Sequence, residues 1–254
     1  MTLTDEKLFE IEKSVCSFLY TLKDIFREEW IKPNSVSYKV FYEPHITFES
    51  DIEDKIRVKL HTIFPEAGFI VEEGTSLQAK QYNWVIDPID QTKNFIGQMP
   101  LFYTQVALLD QGKPICGVIY NPISDQMFSA SFHNGSRLNG DVIVVHSAPS
   151  IEHSIIDFGV GGITDIGWKF EIIERMAKRV NRVRITSSAY APYILTGAIH
   201  AFVELNERVK IVDMMPRMIC FTEAGFRSEK ITIHDHTIYL SAYKTIFDEI
   251  EKKL

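Results

Sequence analysis

The chain has 254 residues, with 27 Lys and Arg against 34 Asp and Glu, so its formal net charge is −7. A hydrophobic fraction of 45% and an aromatic fraction of 12% exclude a disordered chain and allow one large domain or two small ones. The acidic balance argues against nucleic-acid binding, which needs clustered Lys and Arg. It leaves room for a single phosphate, because a few acids can hold a metal ion that inverts the local charge.

The first predicted element is an N-terminal amphipathic helix capped by Thr4. The charged start of this segment lacks the apolar stretch of a signal peptide, and no later segment has the composition of a membrane span. The cysteines are too widely spaced for a disulfide framework or a zinc site. We therefore expect a cytoplasmic protein with no membrane partner. The apolar face of the helix comprises Leu8, Ile11, Val15, Phe18, Leu22 and Phe26.

A second helix and a series of strands follow. The helix is expected to begin at a capping box from Ser50 to Glu53 and to end before Pro65. Turn residues then separate six predicted strands: Phe69–Glu72, Trp84–Asp87, Thr104–Leu109, Ile115–Tyr120, Gln126–Phe132 and Val142–Val145. Beyond residue 148 the predicted order is helix Trp168–Val180, strand Ala201–Glu204, helix Met214–Glu223, strand Ile231–Leu240 and helix Ala242–Leu254.

This order of elements predicts a mixed α+β and α/β chain. Residues 1–147 are expected to form an N-terminal α+β half, which carries the most informative motif. Residues 148–254 are expected to form a C-terminal α/β half. We expect the two halves to work as one unit.

The most informative segment is residues 84–95, W-V-I-D-P-I-D-Q-T-K-N-F. An apolar strand leads into Asp87 and Asp90, and Pro88 stiffens the corner between them. Two close carboxylates repel each other unless a cation lies between them, and oxygen ligands suit a hard ion such as Mg²⁺ rather than zinc. The backbone N–H groups of Gln91 and Thr92 can receive a phosphate oxygen if these residues open a helix or a turn.

Two further acidic positions end other predicted elements. Glu72 follows one strand together with Glu73, and Asp213 precedes a helix. Taken singly, each acidic pattern is more typical of a turn, a solvated corner or a helix cap than of a metal site. Taken together, they indicate an oxygen-ligand metal site at strand ends, and the residues alone lead no further.

Residues 84–95 resemble the first signature of the inositol monophosphatase family, W-[IV]-[IV]-D-P-[IL]-D-G-T-x-N-F, at every fixed position except Gln91. The second family signature is present in degraded form over residues 212–226, where the spacing from Asp213 to Glu223-Ala-Gly is kept. The resemblance implies a layered αβαβα sandwich of the inositol monophosphatase and fructose-bisphosphatase type, with both halves in one catalytic unit. It also implies a metal-dependent, lithium-sensitive phosphatase that forms a homodimer.

The resemblance also implies a set of metal ligands. Glu72, Asp87 and the carbonyl of Ile89 would hold a first Mg²⁺. Asp87, Asp90 and Asp213 would hold a second, and Glu72 would touch a third ion through water. Mn²⁺ is expected to substitute for Mg²⁺, while Li⁺ and Ca²⁺ are expected to inhibit.

Roles around the substrate follow from the same resemblance. Thr92 and Glu72 would orient the attacking water and take its proton, so no nucleophilic Ser or Cys is needed. The N–H groups of Gln91 and Thr92 would hold phosphate oxygens, and Asp90 and Asp213 would also face the substrate.

Three more positions resemble substrate-contacting residues of the family. Ser188 and Ala189 lie in a segment similar to the family's R-x-x-G-[ST]-A, and Glu204 matches an acid that contacts substrate hydroxyls. Glu204 also fits the pattern of an ordinary edge-of-strand residue. Asp51 matches a family aspartate near the metals, but it is equally typical of an acid in the first turn of a helix.

Departures from the family pattern cluster around the expected substrate positions rather than the metal ligands. Gln91 and Ser187 each replace a glycine, and residues 214–217, M-M-P-R, replace small residues after Asp213. Glycine at position 91 would let the backbone approach the phosphate closely, so Gln91 is expected to reduce or redirect activity. Pro216 is expected in the first turn of the helix that follows.

The leading hypothesis is Mg²⁺-dependent hydrolysis of a small phosphomonoester, with an inositol monophosphate as the default substrate. One alternative is the same chemistry on histidinol phosphate or a nucleotide 3′-phosphate, since the T-K-N-F form of the motif is similar to that of histidinol-phosphate phosphatases. An alternative of another class is a catalytically impaired protein that binds phosphate esters or metal.

Overall fold

The computed structural model describes residues 3–32, 36–40, 43–71, 80–145, 149–161, 166–233 and 235–254. The chain divides into two compact units. Unit 1 comprises Met1–Val142 and Ile211–Glu223, and unit 2 comprises Ile143–Lys210 and Ala224–Leu254. The first division lies five residues before the expected boundary after residue 147. The helix Ile211–Glu223 follows residues of unit 2 in the sequence but belongs to unit 1. The units are therefore not separated by the one boundary along the chain that was expected.

Unit 1 contains five helices and nine strands among its described residues. The helices are α1 (Asp5–Thr21), α2 (Lys23–Trp30), α3 (Thr47–Ile63), α4 (Thr92–Ile96) and α6 (Ile211–Glu223). The strands are β1 (Val36–Val40), β2 (Glu43–Ile46), β3 (Gly68–Val71), β4 (Tyr82–Asp90), β5 (Tyr103–Asp110), β6 (Lys113–Asn121), β7 (Gln126–Ser131), β8 (Ser136–Leu138) and β9 (Asp141–Val142).

The predicted N-terminal helix is confirmed, and the expected start of the second helix is wrong. Thr4 caps α1 by accepting a hydrogen bond from the Lys7 N–H at 3.2 Å. The apolar run continues past Leu22 into α2. The α3 helix begins at Thr47, and the side chain of Glu49 accepts from the Ile46 N–H at 3.2 Å. The S-x-x-E pattern of residues 50–53 therefore lies inside the helix, where it caps nothing.

The main sheet of unit 1 has seven strands in the order β3-β4-β5-β6-β7-β8-β9. The β3 and β4 strands are parallel and the other neighbours antiparallel, while β1 and β2 pair separately. The predicted strand Val142–Val145 is wrong in extent, because only Val142 belongs to a strand, the two-residue β9. The short β8 and β9 strands pair through a tight turn that begins with Asn139, a residue with positive φ.

Helices cover both faces of this sheet. Cys116 and Val118 on β6 belong to the buried cluster that includes residues of α1 and α3. Gly117 between them faces the opposite side, where α6 lies. A Cβ at Gly117 would lie 2.4 Å from Cγ2 of Ile219 and 2.8 Å from the carbonyl oxygen of Pro216. The glycine therefore sets how closely α6 can approach the sheet.

The close packing of α6 gives the first prediction. Gly117→Ala is expected to lower the free energy of unfolding by about 1–3 kcal/mol, because the added methyl group overpacks the contact with α6. Chemical denaturation of the variant measures this loss. Gly167→Ala is the matched control, since a Cβ built there meets no described atom within 4 Å apart from its chain neighbours and the backbone of its own helix. Equal stability of the two variants would show that α6 tolerates the added methyl.

Unit 2 contains two α-helices, two 3₁₀ helices and five strands among its described residues. The helices are α5 (Gly167–Ala177), α7 (Lys244–Glu251) and the 3₁₀ helices Ile151–His153 and Ala191–Ile194. The strands are β10 (Ile155–Gly159), β11 (Arg182–Ile185), β12 (Ala201–Glu204), β13 (Arg227–Ile233) and β14 (His236–Ala242). Their order is β11-β10-β12-β14-β13, with β10 parallel to both neighbours and the other pairs antiparallel.

One prediction in this unit is wrong and another is confirmed. The single strand expected over Ile231–Leu240 is two antiparallel strands, β13 and β14, with a turn that includes Asp235 between them. The sequence there has no Gly or Pro to signal the turn. The predicted strand Ala201–Glu204 has the same bounds as β12.

The expected state of the cysteines is confirmed: all three are free thiols, with Cys116 and Cys220 buried. Burial raises the pKa of the Cys116 and Cys220 thiols well above the usual value and that of Cys16 to about 12. In the part of the chain that the structure describes, no helix is both long and apolar enough to cross a membrane.

A buried acid in unit 2 gives a pH-dependent prediction. Asp157 on β10 is fully buried and accepts a hydrogen bond from the Thr186 hydroxyl at 2.7 Å. Burial raises the pKa of the Asp157 carboxyl to about 6. The folded chain thus holds a proton here that the unfolded chain releases near pH 4, so the free energy of unfolding falls as pH rises from 4 to 7. A shift of this size corresponds to about 3 kcal/mol.

Asp157→Asn is expected to remove the part of the pH dependence that comes from the Asp157 carboxyl. The free energy of unfolding of the variant, minus that of the wild type, should therefore rise by about 3 kcal/mol between pH 4 and pH 7. Urea denaturation at several pH values measures the difference. Asp125→Asn is the control, because hydrogen bonding to Lys23 lowers the pKa of Asp125 and confines its effect to more acidic conditions. A pH-independent difference for Asp157→Asn would contradict the prediction.

Candidate active site

Three acids of unit 1 come together at the end of β4. Asp87 and Asp90 lie on β4, and Asp213 lies in the first turn of α6. Each offers a carboxylate oxygen, and these three oxygens lie within 4.8 Å of one another. Asp87 and Asp90 are buried, at 1% and 7% exposure, while Asp213 is half-buried. We call Asp87, Asp90 and Asp213 the acid cluster.

The local sequence explains why the two strand acids converge. The antiparallel pairing of β4 with β5 shifts register between Asp87 and Asp90. Pro88 lies within this irregular stretch, cannot donate to the sheet, and uses its carbonyl to accept from the Thr104 hydroxyl at 2.9 Å. The bulge breaks the alternation that would otherwise separate residues three apart.

Thr92, which was predicted from the sequence, is paired with Glu49, an acid that sequence reasoning missed. The Thr92 hydroxyl, at the start of α4, lies 2.6 Å from Oε1 of Glu49 and 3.0 Å from the carbonyl oxygen of Ile89. A hydroxyl has one proton, so the closer carboxylate oxygen is the stronger acceptor. Glu49 is 3% exposed, whereas Asp51, the residue matched to the family aspartate, is exposed. Glu49 therefore contacts Thr92, and Asp51 extends toward solvent.

Gln91 has a left-handed backbone conformation, which glycine adopts more easily than other residues. Its φ of 69° and ψ of 48° are left-handed, and it is the N-cap of α4. Ser187 and Ser188 in unit 2 also have positive φ, at 50° and 67°. Gln91 and Ser187, which stand where the resemblance expects glycine, thus hold a left-handed backbone at a cost of about 1–2 kcal/mol each.

Arg217 on α6 is a second residue that sequence reasoning did not assign. Its guanidinium is fully buried, and Nη2 forms an ion pair with Oδ2 of Asp90. The helix begins at Ile211, so Pro216 is its sixth residue and not part of the first turn, which corrects the expectation. The only available signal was the spacing, since Arg217 lies four residues after Asp213 and so shares its helix face.

The predicted substrate residues of unit 2 include one contacting pair. The Ser188 hydroxyl donates to Oε2 of Glu204 at 3.3 Å, and Oε1 of Glu204 accepts from the Asn206 N–H at 2.9 Å. Glu204 is 3% exposed at the end of β12. A Cβ at Gly159 would lie 2.3 Å from Oε2 of Glu204, so glycine makes room for this carboxylate. Ala189 is buried beside Ser188.

The donors of unit 1 fit a hard divalent cation. Three carboxylates close together offer only oxygen, and the bulge leaves the Ile89 carbonyl outside the regular ladder. Gln105, directly across from Asp87 on β5, is fully buried, and neither of its amide side-chain atoms has a hydrogen-bond partner among the described residues. Such an amide can donate and accept hydrogen bonds with a polar group that enters the site. Glu72, another predicted ligand, lies outside the described residues.

Comparisons with known proteins identify the family. A model of the inositol monophosphatase family matches residues 2–246. A Thermotoga maritima fructose-1,6-bisphosphatase/inositol-1-monophosphatase is 30% identical over 199 residues, which cover 77% of this chain and 75% of that protein.

Two solved structures share the fold. The extragenic suppressor protein suhB of Bartonella henselae has a TM-score of 0.85 at 23% identity over 97% of both chains. An IMPase/NADP phosphatase in complex with Mg²⁺ and phosphate has a TM-score of 0.82 at 18% identity, covering 97% of this chain and 95% of that chain. The expected fold, an αβαβα type built from mixed sheets and helices, is therefore confirmed. The chain belongs to the inositol monophosphatase family, which is a family of phosphatases.

Proposed function

We propose that this chain hydrolyses a small phosphomonoester, with an inositol monophosphate as the first candidate, in a reaction that depends on Mg²⁺. The observation that carries the proposal is the convergence of the acid cluster, because three carboxylate oxygens within 4.8 Å repel each other without a cation. Asp87, Asp90 and Asp213 would hold the metal, together with the Ile89 carbonyl and Glu72. When bound, Mg²⁺ lowers the pKa of a coordinated water and neutralises charge on the phosphate.

The Thr92 and Glu49 pair would orient the attacking water. Because the Thr92 hydroxyl points its proton at Oε1 of Glu49, a lone pair on Oγ1 is left to accept a hydrogen bond from a water. Glu49 holds the hydroxyl in this direction and is itself held by the Ile46 N–H. The family resemblance implies that Glu72 takes a proton from the attacking water, and this role of Glu72 stays a prediction.

Phosphate and substrate contacts are also proposed. The N–H groups of Gln91 and Thr92 would donate to phosphate oxygens, since α4 leaves the first N–H groups of its helix outside the intrahelical bonds. Ser188, Ala189 and Glu204 would contact the alcohol part of the substrate. A buried carboxylate that already accepts two hydrogen bonds can take a further one from a substrate hydroxyl.

A panel of phosphate esters tests this proposal. Inositol 1-phosphate, histidinol phosphate and a nucleotide 3′-phosphate are incubated with the full chain, with Mg²⁺ or with a chelator, and released phosphate is measured. We expect turnover with Mg²⁺ only, and highest kcat/KM on the inositol ester. A preference for histidinol phosphate or the nucleotide would keep the chemistry and replace the substrate. Absence of Mg²⁺-dependent turnover on every ester would favour the impaired phosphate- or metal-binding protein.

A further inference from the structure

Arg217 brings a permanent positive charge into the acid cluster. The side chain is fully buried, its partner Asp90 is 7% exposed, and Nη2 of Arg217 donates to Oδ2 of Asp90. A guanidinium keeps its proton at every pH at which proteins are folded. A buried charge of this kind is stable only when it is paired, and the Asp90 carboxylate provides such a partner.

The α6 helix brings one acidic and one positively charged side chain to the acid cluster. Asp213 and Arg217 are separated by four residues on α6 and therefore lie on one face. Asp213 contributes its carboxylate to the acid cluster, and Arg217 reaches Asp90 in the same cluster. Gly117 lets α6 lie close to the sheet at Pro216 and Ile219, and the Arg217 side chain between these residues in sequence is fully buried.

A guanidinium and a divalent cation compete at Asp90. The second metal position implied by the family resemblance uses Asp90 together with Asp87 and Asp213. Arg217 already occupies Oδ2 of Asp90, and its charge repels a cation brought to the same carboxylate. The three carboxylates of the acid cluster and the guanidinium together carry a charge of −2, before the predicted ligand Glu72 is counted, and one divalent ion balances that charge.

We infer that Arg217 replaces one of the metal ions of this site. The guanidinium supplies at Asp90 the positive charge that a second divalent cation would otherwise supply, and the substrate-free chain binds a single divalent ion at the acid cluster. Arg217 is in this sense a positioning residue for Asp90 and a built-in cation. The inference rests on the proposed function in one respect, which is that a divalent ion binds the cluster at all.

Metal binding to the full-length chain tests the inference without any measurement of activity. The probe is Mn²⁺ alone, and equilibrium dialysis combined with the electron paramagnetic resonance signal of free Mn²⁺ gives the number bound and the dissociation constants. We expect one Mn²⁺ per wild-type chain. Arg217→Met, which keeps the volume and removes the charge, is expected to bind a second Mn²⁺ or to bind the first at least about 10-fold more tightly.

Two further variants complete the experiment. Arg217→Lys keeps the charge and should bind one Mn²⁺, as the wild type does. Arg27→Met removes an arginine of unit 1 that donates to the carbonyls of Pro122 and Ile123, and it should also leave Mn²⁺ binding unchanged. The wild-type stoichiometry is informative even if Arg217→Met does not fold.

The outcomes separate this inference from the proposed function. Two Mn²⁺ ions of similar affinity on the wild type would overturn the role of Arg217 and leave the proposed function standing. Identical binding by the wild type and Arg217→Met would do the same. Absence of Mn²⁺ binding from the wild type would overturn both, whether or not Arg217→Met binds an ion, because each requires a divalent ion on the wild-type acid cluster.

Discussion

Asp213→Asn is expected to lower kcat/KM for Mg²⁺-dependent phosphate release by at least about 100-fold, since loss of even an indirect partner of a metal ligand typically costs 10–100-fold. Asp213 is the member of the acid cluster best suited to this test. The structure gives Asp90 an ion pair with the buried Arg217, so Asp90→Asn would break a buried ion pair, a change that destabilises proteins by about 3–5 kcal/mol. Asp213 is half-buried, and asparagine keeps its volume.

The control for this substitution is Asp141→Asn, which removes one negative charge from an exposed position on β9 in the same unit. It should retain wild-type kcat/KM, because a solvated carboxylate contributes little beyond its own surroundings. Thermal unfolding of both variants shows whether they are folded. Wild-type activity in a folded Asp213→Asn chain would remove Asp213 from the catalytic site.

The pair formed by Glu49 and Thr92 is expected to affect turnover more than substrate binding. Glu49→Gln is expected to lower kcat by about 10- to 100-fold with a smaller change in KM, because the amide no longer provides a charged acceptor that fixes the Thr92 hydroxyl. The hydroxyl then turns to the Ile89 carbonyl, 3.0 Å away. Glutamine still has an oxygen to accept from the Ile46 N–H, so the start of α3 should be kept.

Asp51→Asn separates the two candidate acids of α3. Asp51 is exposed, so its replacement should leave both kcat and KM unchanged. Steady-state kinetics on the best ester of the panel gives both constants for the two variants. A large effect of Asp51→Asn, together with none of Glu49→Gln, would return the role to the residue that the sequence comparison indicated.

The site residues that the sequence predicted most directly are those that lie within one short motif. Asp87 and Asp90 lie three residues apart around a proline, so their convergence is a local property of the bulge at the end of β4. Asp213 was noted as an acid before a predicted helix and received its ligand role through the family resemblance, and its place beside them depends on α6 packing against the sheet at Gly117. No local pattern around Asp213 contains that information.

The residues that were missed depend on long-range contacts. Glu49 reaches Thr92 across 43 positions of sequence, and the family resemblance indicated Asp51 instead. Arg217 reaches Asp90 across 127 positions, and in the sequence it is simply a charged residue in a stretch that departs from the family pattern. The β13 and β14 strands were merged because the turn between them has neither glycine nor proline.

The account predicts that Asp87, Asp90 and Asp213 together bind a divalent cation, and anomalous diffraction from crystals of the full chain grown with Mn²⁺ and phosphate tests this most directly. The expected result is an anomalous peak within about 2.0–2.5 Å of oxygens from at least two of the three carboxylates, with phosphate density beside it. Well-ordered acid-cluster side chains with no anomalous peak among them, at Mn²⁺ concentrations that support turnover, would contradict the account.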